Sequence, residues 1–156
     1  MNSLVLKMNP NMNVNGLIYV NNGLEILKAD LNFGLPKEDP VIQRLSEYFN
    51  EKVEKETYQY SPFDASSKTT KYEIKSRRNR YLQYPTTIIP VDKTQRIEGR
   101  MVFVFNFTDG LYYIVYDKDE FAKYDIREVE AVRKGGIRTL KPHFFIPIKD
   151  LIQISI

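Results

Sequence analysis

The sequence predicts an α/β domain built on a central mixed sheet of four or more strands flanked by helices. Three observations carry that expectation: an apolar stripe at helical spacing, several alternating aromatic-rich segments, and one strong hairpin signal. Aromatic residues make up 13% of the chain, all of them Tyr or Phe, and such residues favour strands.

The helix is expected to start near Asp39-Pro40, because aspartate caps a helix N-terminus and proline suits its first position. The segment VIQRLSEYFNEKVEKE then carries Val41, Ile42, Leu45, Phe49 and Val53 on one face, with Glu47, Glu51 and Glu54 off it. TYQYSPFD alternates and reads as a strand ending in a turn at Pro62 and Asp64. ASSKTT reads as a polar loop and KYEIKS as the next strand. SRRNRYLQYP is basic and interleaved with tyrosines, and TTIIPV suits a short strand or a helical turn. MVFVFNF is a nearly continuous apolar run, as expected of a buried central strand, and Thr108-Asp109-Gly110 turns it into LYYIVY. DKDEFAKYDI reads as a short helix, and the tail alternates turns such as Gly135-Gly136 with strand-like pieces ending in HFFIPIKDLIQI.

Residues 1–38 are rich in Asn and Gly, with Asn15-Gly16 and Asn22-Gly23 between short apolar runs. They are expected to form β-hairpins as an N-terminal extension packed on the core. No linker or repeat divides the chain, so residues 1–156 are expected to form a single domain.

The chain has no cysteine, which excludes disulfides, thiolate nucleophiles and cysteine-ligated zinc. His143 is its one histidine, too few for a nucleophilic triad or a histidine-metal site, and its aromatic strand suggests a structural role. No apolar run is long enough to span a bilayer, and the N-terminus does not read as a signal peptide. A soluble, intracellular protein with no membrane partner is expected. The formal charge of +3 is too small to hold DNA as a global field, so local clustering matters more.

The chemistry concentrates in residues 58–80. On a strand, Glu73 and Lys75 project to one face while Tyr72, Ile74 and Ser76 face the other way. If the preceding segment pairs with this strand, Asp64 falls near the end of the hairpin, and a short register offset brings its carboxylate close to Glu73. Two such carboxylates suit Mg²⁺, which accepts one or two protein carboxylates, keeps waters and can also bind phosphate oxygens. The expected ion is Mg²⁺, with Mn²⁺ as its substitute. Acid-x-Lys alone is a weak signal, since charges alternate on many exposed strands. Glu73-Ile74-Lys75 is, however, the only such triplet in the chain, and it follows both an upstream Asp and a helix.

The order Pro62-Phe63-Asp64, then Glu73-Ile74-Lys75 on a strand, resembles the signature of PD-(D/E)XK nucleases, with Phe63 interposed between proline and aspartate. The stretch that follows resembles viral and phage nuclease-like members of that family: a basic run of Arg77, Arg78 and Arg80, then Tyr84-Pro85-Thr86-Thr87 and Lys93. The resemblance covers roughly residues 40–120 and leaves out the first 38. It implies a restriction-endonuclease-like core and Mg²⁺-dependent endonucleolytic hydrolysis of DNA. It also implies that Asp64 and Glu73 bind the metal and that Lys75 assists the attacking water. A glutamate on the preceding helix often completes such sites; Glu47 suits that role, with Glu51 its rival. Arg77, Arg78, Arg80 and Lys93 are candidates for phosphate contact, against the plainer reading of a solvated edge. Tyr81 and Tyr84 suit stacking on bases or packing. Two-site cutting would require a homodimer. The rival functions are a catalytically inactive nucleic-acid-binding module on the same fold and a structural or interaction protein.

Overall fold

The computed structural model describes residues 39–132 and 134–155. The hairpins expected in the first 38 residues lie outside them.

Helix α1, residues 39–49, buries Val41, Ile42 and Leu45 and packs Phe49 against the same cluster. It is shorter than its apolar periodicity suggests. Asn50 adopts a left-handed conformation (φ 54°), and the Glu51 N–H donates to the Ser46 carbonyl, which closes the helix. The Val53 N–H then donates to Ser46 Oγ at 3.0 Å, folding Val53 back into the core from outside the helix. Glu51 and Glu54 are therefore not helical, contrary to expectation.

The segment after α1 forms two short strands, β1 (Glu54–Lys55) and β2 (Ala65–Ser66), paired antiparallel. The aromatic stretch at 57–64, expected as a strand, runs instead through turns and bends, with Tyr58 and Tyr60 exposed. β2 pairs antiparallel with β3 (Thr70–Ser76), which pairs in parallel with β5 (Arg100–Phe107). The two-residue turn Thr108-Asp109 returns β5 into β6 (Gly110–Val115), as the sequence predicts. β9 (Ile152–Gln153) completes a six-stranded mixed sheet in the order β1-β2-β3-β5-β6-β9.

A second, antiparallel sheet holds β4 (Thr86–Pro90), β8 (Arg138–Pro147) and β7 (Asp125–Val132), in the order β4-β8-β7. TTIIPV thus resolves into strand followed by turn: β4 ends at Pro90 and a 3-10 turn covers Val91–Thr94. Between β6 and β7 lies the short helix α2 (Lys118–Phe121), whose N-cap Asp117 accepts a hydrogen bond from the Glu120 N–H.

The alternation along β5 divides the interior in two. Val102 and Val104 join α1, Tyr72 and Ile74 in one cluster. Met101, Phe103, Phe105 and Phe107 join Ile89, Phe144 and Ile146 of the second sheet, with Phe121 of α2, in the other. The main sheet is therefore covered by a helix on one face and largely by a second sheet on the other, where flanking helices were expected. The architecture is α/β with a mixed sheet and few helices. No helix among the described residues is long and apolar enough to cross a membrane.

Candidate functional site

Strand register decides which way the candidate residues point. Tyr72 and Ile74 face α1. Glu73 and Lys75 alternate with them and stand beside Phe103 and Phe105, on the face turned to the second sheet. Asp64 immediately precedes β2, and its N–H donates to the Tyr72 carbonyl at 2.9 Å. Its carboxylate Oδ2 accepts the Ile74 N–H at 2.7 Å. This bond anchors the acid to β3, next to Glu73.

Glu73 is the buried member of the group, with a side chain only 6% exposed. Its Oε2 lies 3.0 Å from Lys75 Nζ and 3.2 Å from Lys93 Nζ. Lys93 arrives on the 3-10 turn after β4, which Thr94 Oγ1 tightens by donating to the Val91 carbonyl at 2.7 Å. Asp92 on the same turn accepts Lys141 Nζ of β8 at 2.8 Å, tying the turn to the second sheet. Two acids and two ammonium groups thus meet at the boundary of the two sheets.

The Asp64 carboxyl is pushed above its ordinary range, first by burial and then by the Glu73 charge. The Ile74 N–H and the ammonium groups of Lys75 and Lys93 pull it back down. A buried acid beside a second acid gains from any cation that approaches both. Among the described residues, neither Asp64 Oδ1 nor Glu73 Oε1 has a hydrogen-bond partner.

The structure brings Asp64, Glu73, Lys75 and Lys93 together, and separates the other candidates from them. Glu47 is exposed on α1, and α1 covers the face of the sheet opposite Glu73. The expected completion of the site by Glu47 is therefore not realised here. Its rival Glu51 is also committed elsewhere. It accepts Ser67 Oγ at 2.6 Å and Thr69 Oγ1 at 2.8 Å, bracing the β2–β3 turn, and these bonds lower its pKa.

Arg77 lies between the sheets. Its Nη2 donates to the Ile88 carbonyl at 2.7 Å, its Nε donates to Thr87 Oγ1 at 3.3 Å, and its guanidinium rests over the Phe105 ring. Burial lowers its pKa to about 10. That placement makes it a strut rather than a phosphate ligand. Arg78 and Arg80 are exposed, and Arg80 lies 4.0 Å from Asp109. Tyr81 packs: it stacks on Tyr112 at 3.8 Å and its hydroxyl donates to the Ile148 carbonyl. Tyr84 is exposed. His143 is buried and bonded through Nδ1 to the Lys141 carbonyl, in keeping with a structural role.

The contact of Lys93 with Glu73 was not legible in the sequence, which offered Lys93 only as a phosphate ligand. The two residues are joined by packing between different sheets, and no local pattern encodes that. No family model matches the chain, and neither a curated protein nor a solved structure does so.

Proposed function

We propose that the chain is a Mg²⁺-dependent nuclease that hydrolyses DNA phosphodiester bonds, on a core of restriction-endonuclease-like type. One observation carries the reading: Asp64, fixed by the Ile74 N–H, sits beside the buried Glu73, whose carboxylate receives Lys75. The donor set is hard oxygen and has the charge of two carboxylates, which suits Mg²⁺ or Mn²⁺ and disfavours softer metals. Asp64 and Glu73 would hold the ion. A bound Mg²⁺ would polarise the phosphate and make a neighbouring water more acidic.

The chain's own groups supply the rest. The Ile74 N–H keeps the Asp64 carboxylate oriented. Glu73 holds the Lys75 ammonium at the mouth of the site, where it can donate to the attacking water or to the phosphate oxygens as charge builds on them. Lys93, partly exposed, offers a second donor to the same phosphate. DNA would be the partner, and a homodimer would serve two-site cutting.

The Glu73 ion pairs also favour a second reading. With two ammonium groups already on Glu73, the site is electrostatically satisfied without a metal, as in an inactive nucleic-acid-binding module of the same fold. A plasmid-nicking assay of the full chain in Mg²⁺, Mn²⁺ or EDTA separates the two. The nuclease reading expects nicking in Mg²⁺ or Mn²⁺, none in EDTA, and a loss of about a hundredfold or more in Lys75→Ala. DNA binding without nicking in any metal would leave the second reading standing.

A further inference from the structure

β4 pairs with β8 only over His143–Pro147, whereas β7 pairs with β8 from Asp125 to Val132. Among the described residues, the far half of the β7–β8 hairpin, residues 128–132 with 138–142, is therefore a two-stranded ribbon with no third strand beside it. Five residues a strand extend it by about 17 Å. Its turn is made by Gly135 and Gly136, both at positive φ (84° and 78°), where a side chain would strain the backbone.

The surface of this arm is unusual in two ways. Val132, Ile137 and Leu140 are 66%, 61% and 64% exposed. Residues 128–142 carry Arg133, Lys134, Arg138 and Lys141 against Glu128 and Glu130, with Arg138 Nη1 2.9 Å from Glu130 Oε1, so the excess of positive charge falls at the turn end of the arm. The arm also starts at the candidate site: Lys141 at its base is bonded to Asp92, and the next residue, Lys93, sits on Glu73.

We infer that this β-ribbon is a duplex-DNA-binding arm. It would lie in a groove beside the bond to be cut, with its basic residues on phosphates and its apolar residues against the groove floor. A two-stranded ribbon fits a major groove about 12 Å wide. Apolar side chains presented there can contact the methyl groups of thymines. The inference rests on the nucleic-acid reading of the site, and binding is measured apart from cleavage so that the two can fail separately.

The test is fluorescence anisotropy of a labelled 30-base-pair duplex with the full chain in EDTA, across a salt series. Two variants are compared with wild type. In one, residues 131–139 are replaced by Asn-Gly, which keeps the Glu130–Leu140 pairing. The other is Arg133→Gln/Lys134→Gln/Arg138→Gln, which leaves the backbone intact. Both are expected to bind at least about tenfold more weakly, and the triple variant to flatten the salt slope by roughly 2–3. Lys52→Gln, at an exposed residue outside both the arm and the candidate site, should bind like wild type.

Wild-type affinity in both variants, or a wild type that binds no duplex, overturns the arm. So does a concentration-dependent dimer that the shortened arm abolishes while DNA affinity stays unchanged, because the arm's occupant would then be a second copy. Arm-dependent binding without nicking in any metal keeps the arm and discards the nuclease; nicking with arm-independent binding does the reverse.

Discussion

At Asp64, burial and the neighbouring Glu73 charge both favour the protonated acid, and the Ile74 N–H only partly offsets them. The native state therefore binds that proton more tightly than the unfolded chain does. The resulting cost to stability is absent below the unfolded pKa, grows as pH rises towards the folded pKa, and is complete above it. Asp64→Asn keeps an acceptor for the Ile74 N–H and removes the charge. It should raise the thermal midpoint at neutral pH, and the gain should vanish at acid pH. Mg²⁺ should stabilise the wild type and not the variant. Thermal scans over pH, with and without Mg²⁺, check both statements; a variant less stable than wild type at neutral pH would contradict them. Such a trade of stability for a charged site is common where groups serve chemistry. At this scale the sequence was informative for Asp64, Glu73 and Lys75, because period-2 alternation and hairpin pairing are local rules. It was uninformative for Arg77, whose partners Thr87 and Ile88 belong to a different sheet.

Among the elements, α1 shows how a correct apolar stripe can mislead about length. Val53 fits the helical period, yet it is buried by a chain reversal at Asn50. Asparagine is one of the few residues that tolerates the left-handed region, and that was the available signal. Asn50→Val should lose about 1–2 kcal/mol in a urea titration, while Asn50→Gly should lose nothing. Equal stability of the two variants would mean that the left-handed turn does not set the end of α1. The β5–β6 hairpin was legible in full, since an apolar run, a tight turn and a second apolar run agree at every position. The 57–64 stretch was not, because its alternating aromatics include exposed tyrosines that pack on each other rather than on a core.

In the molecule as a whole, the second sheet is what the sequence concealed. Its strands are separated along the chain by β5, β6 and α2, and only the long-range pairing of β4 with β8 assembles it. That sheet covers the face on which a helix was expected, and its β4 end delivers Lys93 to Glu73. The candidate site is thus a joint between two sheets: one supplies both acids and Lys75, and the other supplies the second ammonium. A divalent ion entering there would compete with Lys93 for Glu73, so Lys93→Ala should bind the ion at least as well as wild type. The most direct measurement is a calorimetric titration of Mn²⁺ into the full chain at neutral pH, beside Asp64→Asn and Glu73→Gln. Saturable binding by the wild type, weakened at least about tenfold in each variant, is the result expected of a site built on two carboxylates. A wild type that binds no Mn²⁺, or variants that bind it as tightly as wild type, would contradict the account.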